Sequence, residues 1–182
     1  MKKFILIGLM FMVLVSVGFY NDLVSSETSV KSYWAQVENQ MQRRADLVPN
    51  LVRTVSGYSL HEGKIMHEVT DARIKLGQAA TPKEKLEANE KLNSSLSKLL
   101  VVVENYPNLK ANEQFQSLMV QLEGTENRMA VARKDYVQAV NVYNLKVKKF
   151  PSNVFASMFG FTELPQFEAS SDSKEVPKVE FK

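Results

Sequence analysis

The side chains best suited to proton transfer or metal ligation near neutral pH are histidines. The chain of 182 residues has two, both in "HEGKIMHE" (61–68). A zinc-protease helix carries its second histidine four residues after the first, so that both face one ion; here that place holds Ile65. His61 and His67 are six apart and fall on different faces of a helix. A bundle di-metal site needs Glu-x-x-His on two helices, and no such motif occurs. With no cysteine, thiolate metal sites, disulfides, cysteine nucleophiles and a lipidated N-terminal cysteine are excluded. Glycine-rich phosphate loops and a nucleophile elbow are absent too. The expectation is a chain with no catalytic, cofactor-binding or metal-binding residues, no cofactor and no enzyme activity.

Two other polar groupings stand out. Glu62 and Glu126 fall on or beside apolar stripes, at a similar height to Asn89 and Asn93 when helix lengths are counted. One reading is solvated edges; the other is a partly buried polar layer that sets helix register, because buried charge must be paired. The second grouping is "QRRADLVPNLV" (42–52), where Arg43, Arg44 and Asp46 precede Pro49. The net charge is +3, and the bases are interspersed with acids, so nothing points to nucleic acid.

The elements that would position these residues are helical. From Leu23 onward apolar residues recur at steps of three and four, and strand-like alternation is absent. The stripes run through Val30, Trp34 and Met41; through Leu51, Val55, Val69 and Leu76, broken at Glu62; through Leu92, Leu96 and Leu99; and through Leu122, Met129, Tyr136 and Tyr143. Thr81, Pro82 and Glu84 form a capping-box start. Gly77 is a possible C-cap, "NYPN" (105–108) breaks the third run, Asn112 caps the fourth, and Pro151 ends it. The "QRRADLVPNLV" stretch reads as the first turn. Arg43 and Arg44 end helix one, and Asp46 caps helix two. One long helix kinked at Pro49 is the alternative. The fold class is all-α, an up-down-up-down antiparallel four-helix bundle preceded by one N-terminal transmembrane helix.

Lys2 and Lys3 precede an uncharged run from Phe4 to Tyr20. As a helix it spans ~25 Å, the short end of what crosses a bilayer. An uncleaved anchor is favoured over a cleaved signal peptide ending near Gly18, because the run reaches Tyr20 and the helical pattern continues. The lysines before the run, with Asp22 and Glu27 after it, put the bundle on the extracytoplasmic side; the alternative is a cytoplasmic bundle. The expected organisation is anchor 1–21, bundle 22–149, an apolar membrane-proximal segment 150–161 and a disordered tail 162–182. In the apolar segment, Phe150, Phe155, Met158, Phe159 and Phe161 are candidate membrane contacts, and a fold-back over the bundle end is the other reading. The tail's "PKVEF" (177–181) is a candidate recognition motif.

"YNDLV" (20–24), "QRRADLVPNLVRTVSGYSLHE" (42–62), "LEGTENRMAVARKDYVQAVNVYN" (122–144) and "FPSNVFASMFGF" (150–161) together resemble the LemA family, in order and over nearly the whole chain. The resemblance implies a bacterial membrane protein with one N-terminal membrane segment and a soluble antiparallel helical bundle. It implies no activity and carries over no catalytic residue. One branch of that family takes part in forming magnetosome membranes, and some members carry a lipoprotein cysteine before the "YN" motif. Here Gly18 and Phe19 stand there instead. The combined expectation is a single-pass protein of the bacterial inner membrane, acting as an envelope scaffold or adaptor with an unidentified protein partner. A homo-oligomer is compatible with it. The alternative is a lipid-binding or membrane-shaping module that uses 150–161. Arg43, Arg44 and Asp46 are the candidate partner contact, the arginine pair on family recurrence alone.

Overall fold

The structure, a computed structural model, describes residues 2–58 and 63–165. Every regular element among them is helical: α1 (Lys2–Ser56), α2 (Gly63–Gln78), α3 (Pro82–Val103), the single turn α4 (Pro107–Lys110), α5 (Glu113–Lys148) and α6 (Ser152–Phe159). The chain divides into two compact units, one comprising Met1–Trp34 and Arg133–Lys182, the other Ala35–Ala132.

The expected turn at 43–49 does not form. Helix α1 continues through Pro49 to Ser56. Proline has no N–H to give the carbonyl four residues back, and inside a helix this ordinarily kinks or breaks the ladder. Here the carbonyl released, Ala45 O, accepts from Arg73 Nε of α2 at 3.0 Å. The apolar face also runs unbroken through the proline, with Met41, Ala45, Val48, Leu51 and Val55 all buried. Burial of that face and a replacement donor together outweigh the local preference for a break. Asp46 is therefore no cap. It lies on an exposed face and accepts from Gln42 Nε2 at 2.8 Å. The chain turns at Gly57 and Tyr58 instead, where Tyr58 N donates to Val55 O at 2.9 Å.

Other boundaries follow local chemistry. Thr81 Oγ1 accepts from Glu84 N, and the Glu84 carboxylate accepts from Ala80 N and Thr81 N, a complete capping box. Those main-chain donors hold the Glu84 carboxyl below its ordinary range. Asn112 Oδ1 accepts from Phe115 N at 2.9 Å and starts α5. Gly77 lies inside α2, which ends at Gln78.

In the Ala35–Ala132 unit the core is built from α1, α2, α3 and α5, around Val48, Val69, Leu92, Leu99 and Met129. Polar ties run between the helices: Lys85 to Glu38, Lys98 to Glu68 (3.3 Å) and Arg128 Nε to Gln40 Oε1 (3.4 Å). In the other unit Leu23 and Val30 of α1 are buried, as are Tyr136, Val140 and Tyr143 of α5. Trp34 meets Tyr136 edge-on at 5.4 Å, and Lys146 Nζ pairs with Asp22 at 2.7 Å. The side chains of the apolar run from Phe4 to Leu14, and Val17, are open, with Phe4 80% and Val17 51% exposed, and Val15 is half-buried. This is one helical stretch long and apolar enough to cross a membrane.

Candidate functional site

The apolar segment after α5 folds as α6. Ser152 Oγ donates to Lys149 O at 3.1 Å and to Lys146 O, fastening its start to the last turn of α5. Gly160 ends it with φ 79, a left-handed conformation that glycine adopts without strain, and Phe161 N closes the turn on Ala156 O at 2.9 Å. The small residues Ser152 and Ala156 are buried, and larger ones flank them.

Those larger residues divide into two sets. Phe155 stacks on Phe19, with centroids 4.7 Å apart and planes at 11°. Tyr20 meets Phe159 at 5.1 Å and Phe161 at 5.9 Å, both edge-on. The second set is open: Phe150 is 77% exposed, Val154 55% and Met158 62%. Of the five candidate membrane contacts, then, Phe150 and Met158 face outward, while Phe155, Phe159 and Phe161 form a ring cluster with the end of the apolar run. Val154 belongs to the same apolar segment but was not among the candidate membrane contacts, although its spacing of four from both Phe150 and Met158 is the signal that marks it.

Beyond α6 the chain is held to α5. Tyr143 Oη donates to Thr162 O at 3.0 Å; Asn144 Nδ2 donates to Leu164 O at 2.8 Å, and Asn144 Oδ1 accepts from Leu164 N at 2.9 Å. The tail expected from residue 162 thus begins with residues bonded to α5. Residues 166–182, including the "PKVEF" stretch, lie outside the described residues, as do His61 and Glu62.

The polar groupings are rearranged relative to expectation. Arg44 is buried, its side chain 10% exposed, and its Nη1 pairs with Glu126 Oε2. Arg43 and Asp46 are exposed. The candidate partner contact thereby loses Arg44, because the guanidinium is committed to the interior. Asn89 is fully buried, and neither side-chain amide atom has a hydrogen-bond partner among the described residues; Asn93 is half-buried, and its Oδ1 has none among them either. Sequence reasoning put Arg44 and Glu126 in separate groups and missed their pairing.

A shallow groove of about 330 Å³ lies in the first unit, lined by Ser25, Ser26, Ser29, Tyr33, Asp135 and Lys146 among others. Ser29 Oγ donates to its own helix at Ser25 O (2.9 Å), and no histidine among the described residues lines the groove to act as a base. Burial pushes the Tyr136 phenol up, and burial followed by the Glu27 carboxylate pushes Tyr143 up, so both hydroxyls are held protonated rather than activated. No three His, Cys, Asp or Glu side chains among the described residues are grouped to hold a metal ion.

The magnetosome proteins MamQ 2 and MamQ 1 of Paramagnetospirillum magneticum are each 26% identical to the chain over 175 residues, covering 82% of the chain and 64% of the relative. Protein LemA of Metamycoplasma hominis is 22% identical over 157 residues, covering 86% of the chain and 72% of the relative. The chain thus spans about 64% of the length of the magnetosome relatives it matches. The LemA family profile matches residues 33–181, and on that match the chain belongs to the LemA family.

Proposed function

We propose that the protein is a non-enzymatic, membrane-tethered helical scaffold or adaptor of the bacterial envelope. The observation that carries this reading is the continuity of α1. The apolar run passes without a break into the helix that buries Leu23, Val37 and Leu51. The unbroken helix joins the apolar run, without a linker, to the buried residues Leu23 and Val30 of its own unit. The polar ties Glu38–Lys85, Glu68–Lys98, Ala45–Arg73 and Gln40–Arg128 join α1, α2, α3 and α5 and support an up-down-up-down order for them. Lys2 and Lys3 before the run, and Asp22 and Glu27 after it, favour an extracytoplasmic bundle in a single-pass inner-membrane protein. Relatives named as magnetosome proteins fit a membrane role.

Arg43 and Asp46, exposed on α1, are the surface assigned to a protein partner. A photo-crosslinking side chain at Arg43, activated in intact membranes, is expected to give one reproducible adduct with another protein, absent when the probe sits at buried Val48. Adducts with lipid alone would overturn the adaptor reading and favour direct action on the bilayer. A specific observation favours that second reading: α6 is docked on the end of the apolar run.

A further inference from the structure

We propose that α6 is a second membrane contact. It lies in the interface plane with Phe150, Val154 and Met158 turned into the lipid. The inference rests on the reading of residues 4–20 as a bilayer span, and it adds a depth, a face and a lipid class.

The depth follows from the ring cluster. A helical run of 17 residues from Phe4 to Tyr20 covers ~25 Å of a hydrocarbon core ~30 Å thick, so its last residues lie near the edge of that core. Phe155 stacks on Phe19, and Phe159 and Phe161 meet Tyr20. Those contacts fix α6 at the level of that boundary, where aromatic rings are favoured. Of the first charges beyond it, Lys146 pairs with Asp22 and Lys148 with Glu163 (2.7 Å), while Lys149 is exposed.

The face follows from exposure. With Ser152 and Ala156 buried and Phe155 directed at Phe19, the outward side of α6 carries Val154, Ser157 and Met158, and Phe150 extends it. In water this is an unpartnered apolar patch. It adjoins the exposed apolar run of α1, and that continuity selects lipid as its occupant.

The lipid class follows from charge. No residue from Phe150 to Thr162 is charged. Interfacial helices that seek anionic lipid carry Lys or Arg along the polar face. Insertion of α6 is therefore apolar in origin and indifferent to headgroup charge.

The test uses the full chain in phosphatidylcholine vesicles containing bilayer-located quencher lipids. The chain lacks cysteine, so single sites can be labelled with an environment-sensitive fluorophore. Met10→Cys reports the span, Val154→Cys and Met158→Cys report α6, and exposed Asn127→Cys is the control. Quenching several-fold stronger at 154 and 158 than at 127, unchanged by added phosphatidylglycerol or salt, is expected. Quenching at 10 alone overturns the α6 contact and leaves the anchor standing. Quenching at 154 and 158 without 10 supports the contact and overturns the anchor. Quenching at none overturns both. Labels at 154 and 158 shielded in proportion to protein density, without quenching, would mean that a second copy covers the face, which also overturns the proposal.

Discussion

Arg73 donates its Nε–H to the main-chain oxygen of Ala45, 3.0 Å away, and Ala45 is the residue whose helical partner would have been Pro49. The side chain of one helix thereby completes the hydrogen bonding of another at the point where proline leaves it short. Arg73→Met leaves that part-buried carbonyl without its donor and is expected to cost about 1–2 kcal/mol. In a Pro49→Ala background, residue 49 regains an N–H for Ala45 O, and the same substitution should cost clearly less. A double-mutant cycle by urea denaturation measures the coupling. Equal costs in the two backgrounds would show that Arg73 has no part in bridging the proline.

The Arg44–Glu126 pair joins residues 82 positions apart, one side chain 10% exposed and the other 45%. Removing the carboxylate from a buried guanidinium is costly, but solvent around Glu126 screens part of the effect. Glu126→Gln should lower stability by about 1 kcal/mol, read as a shift in the urea midpoint with an unchanged slope. An Arg44→Met, Glu126→Gln double variant should lose less than the sum of the single changes.

Asn89 is fully buried, and its amide makes no hydrogen bond to the described residues. Burying an amide without partners is unfavourable, and a leucine of similar volume removes that cost. Asn89→Leu is expected to raise stability by about 1 kcal/mol and the melting temperature by a few degrees. A fall in stability would show that the amide has a bonding role in the native protein.

Much of the architecture was legible because it rests on local chemistry. The capping box at Thr81 and Glu84, the Asn112 cap and the end of α5 before Pro151 each depend on a few neighbouring residues, and each is found. The path through Pro49 was legible only as the alternative to a turn, since what decides it includes Arg73 in another helix, 28 residues from Ala45. The true break had a faint mark: Gly57 lies there, and the apolar stripe loses step at Glu62. Moving that turn shifted the register of everything before it, which is why Arg44 reads as a surface residue in sequence and as a buried one in the fold. At α6 the apolar character was plain, but which rings face Phe19 and Tyr20 depends on contacts with residues more than a hundred positions away.

Tyr143 supplies a pH dependence. Burial and the Glu27 carboxylate hold its phenol neutral, so its folded pKa lies above the ordinary value of about 10. Its contribution is complete below that value and is lost as pH rises through it toward the higher folded one. Ionisation also removes the proton donated to Thr162 O. Amide exchange at Leu164, corrected for its intrinsic pH dependence, should therefore lose protection in alkaline buffer. Tyr143→Phe should start less protected and show no such step.

The central claim is that the apolar run stays attached and holds the helices to the bilayer. Membranes extracted with alkaline carbonate, followed by intact-mass measurement of the protein in the pellet, test it most directly. The account predicts retention in the pellet with residues 1–21 still present, a mass of about 20.6 kDa for the chain as read here. Release into the supernatant, or a mass lacking the residues up to Gly18, would contradict it.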